Sequence, residues 1–262
     1  MPKISVLLCV YNGDDYVRGA LDSILSQTYS DFECVIIDDA SSDTTPHILR
    51  EYASKDNRIH IHTNDKNMGL TASLQDGLSY CNGKYIARMD VDDIARRDRF
   101  EKQYAFMEEH PDVALCGSFA TVIDEKESTI GKKIFPTSSV DIKKRLLFNN
   151  QFVHSTLFFI KEKIVDIGGY DVFFKKSQDY DLVFRVGSVY TVANIPEYLV
   201  SWRLGSRSIS WQSRGQEMYA LRARWNAITR YGYPKINGIY HIVVRAIWLC
   251  VPLSLKRKRY VR

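Results

Sequence analysis

The chain has no low-complexity tract and no internal repeat, so neither a disordered scaffold nor a repeat array accounts for its 262 residues. It also lacks the roughly 20 consecutive apolar residues that a membrane-crossing helix needs. The nearest stretch, Ile239 to Leu255, is shorter and is interrupted by His241 and Arg245. Cysteine is sparse: Cys9, Cys34, Cys81, Cys116 and Cys250 are odd in number and scattered through largely apolar sequence, which predicts reduced thiols and no disulfide frame. The apolar run after Met1-Pro2-Lys3 is too short for a secretory signal, so the expected location is cytoplasmic. Acids are scarce in one region only. From Ser201 to Arg262 thirteen Lys and Arg face the single acid Glu217, a net +12; with +5 over the whole chain, the first 200 residues carry −7. An acidic front excludes a nucleic-acid surface, while a basic tail beside apolar residues points to an anionic partner such as a lipid headgroup layer.

What is present is ordinary for a globular protein, with 45% hydrophobic and 26% charged residues. Ile4 to Cys9 is a buried-strand run, and Val17, Ala20, Leu21, Ile24 and Leu25 follow at helical spacing. Cys34 to Ile37 repeats the strand, with Asp43 and Pro46 marking a helix start. Ile59 to Thr63, a helix from Leu70 to Tyr80, and a strand from Tyr85 to Met89 continue the alternation. The pattern predicts an α/β fold, a mainly parallel sheet with helices on both faces and ligands beyond the carboxyl ends of its strands. The expected organisation is a domain over 1–210, its nucleotide-binding half about 1–100 and its acceptor half 101–210, followed by a helical basic extension over 211–262.

The loops decide which nucleotide-binding fold this is. Tyr11-Asn12-Gly13-Asp14-Asp15 after the first strand has one glycine and two carboxylates, which would repel the pyrophosphate that a three-glycine dinucleotide loop admits. Neither Gly83-Lys84-Tyr85 nor Gly131-Lys132-Lys133 completes a triphosphate-cradling loop. Acids at the strand end in Arg88-Met89-Asp90-Val91-Asp92-Asp93 remain. Mg²⁺ and Mn²⁺ take hard oxygen ligands and share their shell with substrate phosphates. If the pleat continues, Asp90 and Asp92 face one ion, and Asp93 turns aside to cap the next segment or bind through water.

Taken together, Ser5 to Asn12, Leu21 to Tyr29, Val35-Ile36-Ile37-Asp38-Asp39-Ala40-Ser41-Ser42-Asp43, Asn67-Met68-Gly69-Leu70 and Asp90-Val91-Asp92-Asp93 resemble the family 2 glycosyltransferases of GT-A fold over about the first two hundred residues. The resemblance implies an inverting hexosyl transfer from a nucleotide-sugar, a UDP-sugar by expectation, to a glycan or lipid-linked acceptor hydroxyl in surface polysaccharide synthesis. It implies Mn²⁺ or Mg²⁺ on Asp90 and Asp92. It places Asp39 on the nucleobase and Cys9 and Tyr11 along the nucleoside pocket, though Tyr11 suits a core equally well. Asp38 suits a turn cap. The resemblance gives the acceptor-activating base to Asp179 in Gln178-Asp179-Tyr180-Asp181, while Asp181 reads as a helix cap. Gln178 stands where many relatives carry Glu. His154 falls where relatives place a His near donor or acceptor, and a structural role suits it too. Gly168-Gly169-Tyr170-Asp171 is a turn of family type on the acceptor side. Arg203, in the late segment Trp202 to Ser210, is expected to clamp phosphate oxygens, and Arg88 either approaches the diphosphate or pairs with a neighbour.

Two other functions fit parts of the sequence. A metal-dependent nucleotidyltransferase shares the acids but needs a basic, glycine-rich loop at the first strand. A non-catalytic membrane-associated module uses the tail and leaves the acids idle. The tail itself, with Met218, Leu221, Trp225 and Ile228 at helical spacing and Lys256-Arg257-Lys258-Arg259 near its end, reads either as an amphipathic helix at the inner face of the membrane or as a helix docked on the domain.

Overall fold

The computed structural model describes residues 2–205 and 214–249. Strand β1 (Ile4–Val10) is buried at every position, as a strand covered on both faces must be. Its side chains alternate: Leu7 and Cys9 enter one core cluster, Ile4, Val6, Leu8 and Val10 the other. Strands β2 (Phe32–Asp38), β3 (Ile59–Thr63) and β4 (Tyr85–Asp90) join in parallel. The crossovers are helices α1 (Val17–Leu25), α2 (Thr45–Lys55) and α3 (Leu70–Tyr80). In α1 the stripe Val17, Ala20, Leu21, Ile24 is buried, the i, i+3, i+4, i+7 spacing of an amphipathic helix. At Gly77 of α3 a Cβ would lie 2.6 Å from Leu7, so a glycine is what lets this helix approach the sheet.

The second half adds β5 (Ile94–Ala95), α4 (Arg99–Glu109), β6 (Val113–Ile123), β7 (Thr129–Lys133) and α5 (Ser139–Leu146). A single 3-10 turn (His154–Thr156), β8 (Phe158–Ile160), α6 (Lys161–Asp166), α7 (Gln178–Val189) and β9 (Thr191–Arg203) follow. The sheet runs β3-β2-β1-β4-β8-β6-β9-β5, with β7 on β6. β8 is antiparallel to β4 and β6, and β6 and β9 are parallel, so the expected α/β sheet is mixed. The register Cys9↔Ile37, Val10↔Asp38 and Cys9↔Asp90 brings the carboxyl ends of β1, β2 and β4 to one edge, where the connections change direction.

Helices α8 (Arg214–Arg230) and α9 (Lys235–Leu249) close the described chain. Ala223, Ala227 and Ile228 of α8, and Tyr233 after it, belong to the same core cluster as Phe184. Buried Arg224 donates to Leu147 O at 2.9 Å and Phe148 O at 3.1 Å. α8 is therefore docked on the body, one of the two arrangements open from sequence. The expected boundary at 210/211, the Ser206–Ser210 part of the late segment, and Lys256 to Arg259 lie outside the described residues. Among those described, no helix is long and apolar enough to cross a membrane, and the four cysteines are free and buried.

Candidate active site

The loops after β1 and β2 are stitched into one rim. Asn12 N donates to Ser41 Oγ at 2.9 Å, Ser42 N to Asn12 Oδ1 at 2.8 Å, and Gly13 N to Thr45 Oγ1 at 2.9 Å. Asn12 and Ala40 sit at φ 49° and 60°, left-handed values that cost a non-glycine residue energy and hold both tight turns at this rim. Tyr11 is 50% exposed, an open aromatic face rather than core. Cys9, two residues earlier on β1, is buried, and burial pushes its thiol far above the ordinary range, so it stays uncharged.

Asp38 Oδ1 accepts from Ser41 N at 3.0 Å, which fastens the turn after β2. Asp39 Oδ1 accepts from Asn64 Nδ2 at 2.7 Å and Met68 N at 2.8 Å, and its Oδ2 from Gly69 N at 2.8 Å. This carboxylate therefore orders the segment leading into α3. Of the roughly four acceptor positions of a carboxylate, one is left over.

β4 ends at Asp90, and a turn replaces the pleat on which the expectation for Asp93 rested. Asp93 does not turn aside. Asp90, Asp92 and Asp93 each offer an oxygen, all within 4.8 Å of one another. Asp93 is buried, with Oδ1 accepting from Arg203 N at 2.7 Å and Oδ2 bonded to Ser155 Oγ. Arg88 lies fully buried on β4 and donates to Asp90 Oδ1 and, at 3.3 Å, to Ser155 Oγ; of its two readings the paired one is what the structure displays.

Charge in this cluster is uneven. Burial opposes ionisation of Asp90, but the Arg88 guanidinium outweighs it and holds the carboxyl below its ordinary value. Asp92 is pushed up to about 6 by burial and then by the Asp90 charge. Asp93 goes well above the usual range through burial, then Asp92 and Asp90. Three converging carboxyl groups, with Asp90 held ionised by Arg88, offer hard oxygen donors, a set that fits Mg²⁺ or Mn²⁺.

His154 stands at the edge of the cluster, its Nδ1 3.9 Å from Asp90 Oδ2 and its Nε2 3.2 Å from Tyr170 Oη. Burial, then Arg88, brings its pKa down to about 3, so it is neutral. Tyr170 follows Gly168 and Gly169, at φ 90° and 67°. Its N–H donates to Gln75 Oε1 at 2.6 Å, an oxygen that a Cβ on Gly169 would meet at 2.2 Å. The double-glycine turn thus lets Tyr170 reach His154.

Two further expectations need correction. Arg203 is 6% exposed, and its guanidinium is engaged inward: Nε donates to Asp92 O at 2.8 Å, Nη1 to Asp124 O at 3.1 Å and Nη2 to Glu127 Oε1 at 3.0 Å. As the last residue of β9, in register with Ile123, it braces the acidic loop against the β6–β7 hairpin instead of presenting a clamp to phosphate. Asp181 does not cap α7. It is fully buried and accepts from Arg185 Nε at 2.8 Å, one turn on, while Arg185 Nη1 donates to Ile167 O at 3.0 Å. The N-cap position is Ser177, at φ 55°.

Asp179 lies in the first turn of α7, partly buried, with Oδ2 accepting from Asn150 Nδ2 at 2.7 Å. Burial raises its pKa from the ordinary 3.8 to about 6, and Arg88 and Asp90 are near enough to act on it. Ser155 and Asn150 were not singled out from sequence. Ser155 Oγ accepts from Asp90 N at 3.0 Å and lies within hydrogen-bond reach of both Asp90 and Asp93 carboxylates. The polar run Asn149-Asn150-Gln151 ahead of an apolar strand was the one available signal for Asn150.

A mixed sheet of this order, with an acidic cluster at the end of β4, defines a GT-A glycosyltransferase fold. The chain belongs to glycosyl transferase family 2, whose profile matches residues 5–168, and it is a glycosyltransferase. It is 30% identical over 264 residues to the amylovoran biosynthesis glycosyltransferase AmsE of Erwinia amylovora, covering 98% of this chain and 97% of AmsE. S. aureus TarS 1–349 in complex with UDP-GlcNAc superposes with a TM-score of 0.74 at 16% identity, over 92% of this chain and 70% of that one; the chain spans 40% of a longer TarS structure. The mannosyltransferase PcManGT of Pyrobaculum calidifontis, in complex with GDP-Man and Mn²⁺, gives a TM-score of 0.70 at 17% identity, over 96% of this chain and 71% of that one.

Proposed function

We propose that this glycosyltransferase moves one sugar from a nucleoside diphosphate sugar to an acceptor hydroxyl with inversion, in the synthesis of a surface polysaccharide. The observation that carries the reading is the convergence of Asp90, Asp92 and Asp93 within 4.8 Å beside the carboxyl ends of β1 and β2. UDP-GlcNAc and GDP-Man in the TarS and PcManGT structures, Mn²⁺ in the latter and the role in AmsE's name support it. Asp90, Asp92 and Asp93 hold Mn²⁺ or Mg²⁺. A divalent cation there supplies positive charge to the departing diphosphate. Tyr11 offers its open ring to the nucleobase, and the remaining acceptor position of Asp39 takes a base N–H. Asp179 accepts the proton of the acceptor hydroxyl as that oxygen bonds to the anomeric carbon and the bond from that carbon to the diphosphate oxygen breaks. Asn150 keeps the carboxylate aimed.

Titration calorimetry with UDP, GDP and TDP, with and without Mn²⁺, tests this without knowledge of the acceptor. One nucleotide is expected to bind, only with metal, and Asp92→Ala should abolish that binding. A folded protein that binds none of them overturns the proposal. Ser155→Ala probes the support of the cluster: losing the hydroxyl shared by Arg88 and two carboxylates should weaken Mn²⁺ about 10–100-fold. Unchanged Mn²⁺ affinity by electron paramagnetic titration would remove Ser155 from the site.

A further inference from the structure

Helix α9 is oriented inside out. A helix on a protein surface buries its apolar stripe and turns charge to water, yet here Ile236, Ile239, Tyr240, Val243, Val244 and Ile247 are between 42% and 85% exposed. Their spacing places them on one face along about 16 Å of helix. The opposite face carries the fastenings. A Cβ on Gly238 would lie 2.1 Å from the Ile228 side chain, so the glycine lets Ile228 of α8 pack directly on the α9 backbone. Arg245 donates to Phe148 O at 3.1 Å, with Nη1 3.8 Å from Glu217 and its guanidinium carbon 5.5 Å from the Phe148 ring centre. His241 meets the same ring at 5.7 Å. Rolling α9 to hide its apolar face would break these contacts, so the exposure is built in.

Charge selects the occupant. The segment 201–262 carries thirteen Lys and Arg against Glu217 alone, and Lys256-Arg257-Lys258-Arg259 follows α9 closely in sequence. A second copy docked on this face would bring two segments of net +12 together, which repulsion opposes. A sheet of anionic headgroups accepts both the apolar stripe and the positive charge, and needs no matching groove. We infer that the outward face of α9 is the surface by which this protein lies on an anionic lipid bilayer, without crossing it.

The inference does not depend on the donor site, so nucleotide binding serves as an independent control of folding. The full chain is sedimented with vesicles of phosphatidylcholine alone and with 30% phosphatidylglycerol. It should pellet with the anionic vesicles only. Ile239→Asp/Val243→Asp should lower the partition at least tenfold while the unfolding midpoint stays unchanged; Ile239→Ser/Val243→Ser serves if the aspartates disturb folding. The inference falls if the native chain stays in the supernatant, or if it binds neutral vesicles equally. It also falls if the double variant still binds as tightly, which would leave the basic residues acting alone. A dimer of the native chain that the same substitutions convert to monomer would assign the face to a second copy and overturn it as well.

Discussion

Asp179→Asn should lower sugar transfer 10²- to 10⁴-fold and, at the same time, make the protein more stable. The kinetic loss is the ordinary contribution of a positioned general base. Donor binding should survive, because the amide keeps an oxygen for Asn150 and leaves the acidic cluster untouched. The stability gain follows from linkage. The carboxyl's folded value of about 6 lies above its ordinary 3.8. As pH rises from 3.8 the unfolded chain ionises first, so the folded state loses stability until pH passes 6 and the loss becomes constant. That displacement amounts to at most about 3 kcal/mol at pH 7, which the uncharged amide restores. The same carboxyl sets the native pH profile: transfer should fall about tenfold per pH unit below 6, since only the ionised form takes the proton. Denaturant unfolding of both proteins at pH 5 and 7.5, beside initial rates across that range, checks both halves. A variant that turns over normally, or is less stable at pH 7.5, contradicts the assignment of Asp179 as a buried base.

The parallel half of the fold was legible because it rests on local signals. Continuous apolar runs such as Ile4 to Cys9 and the helical stripe of α1 need no knowledge of distant residues. Asp90 and Asp92 were legible as strand-end acids. Asp93 was misjudged because pleat alternation holds only while the strand lasts, and β4 stops at Asp90. Arg203 and Asp181 failed for a related reason. Arg203 near a site looks like a phosphate clamp and Asp181 at a helix start looks like a cap, but their partners, Glu127 for one and Arg185 for the other, are set by register and helix rotation. Ser155 is 65 residues from Asp90, and no period or cap marks it; only β8 lying beside β4 brings them together.

Arg88→Met should be the most destabilising single change at the site, and one that added Mn²⁺ repairs. The native guanidinium is fully buried and pairs with Asp90 while touching Ser155. Methionine fills much of the same volume but supplies no charge. The variant therefore leaves the three converging carboxylates without the guanidinium that pairs with Asp90. Removing one partner from a buried pair costs about 3–5 kcal/mol, because the remaining charge has lost its compensation. With metal absent, that loss should appear in full as a lower urea midpoint at unchanged slope. With a divalent cation on the carboxylates, much of the missing charge is replaced. At a hundredfold excess of Mn²⁺ over its dissociation constant, binding to the folded state alone adds about 2.7 kcal/mol. Mn²⁺ should thus bring the variant back toward the native protein in EDTA. Nucleotide binding should return with it, since Tyr11 and Asp39 are untouched by the change. A variant as stable as the native chain in EDTA would mean that the carboxylates shed their charge by holding protons. One that Mn²⁺ fails to raise would mean that the three acids do not hold the ion.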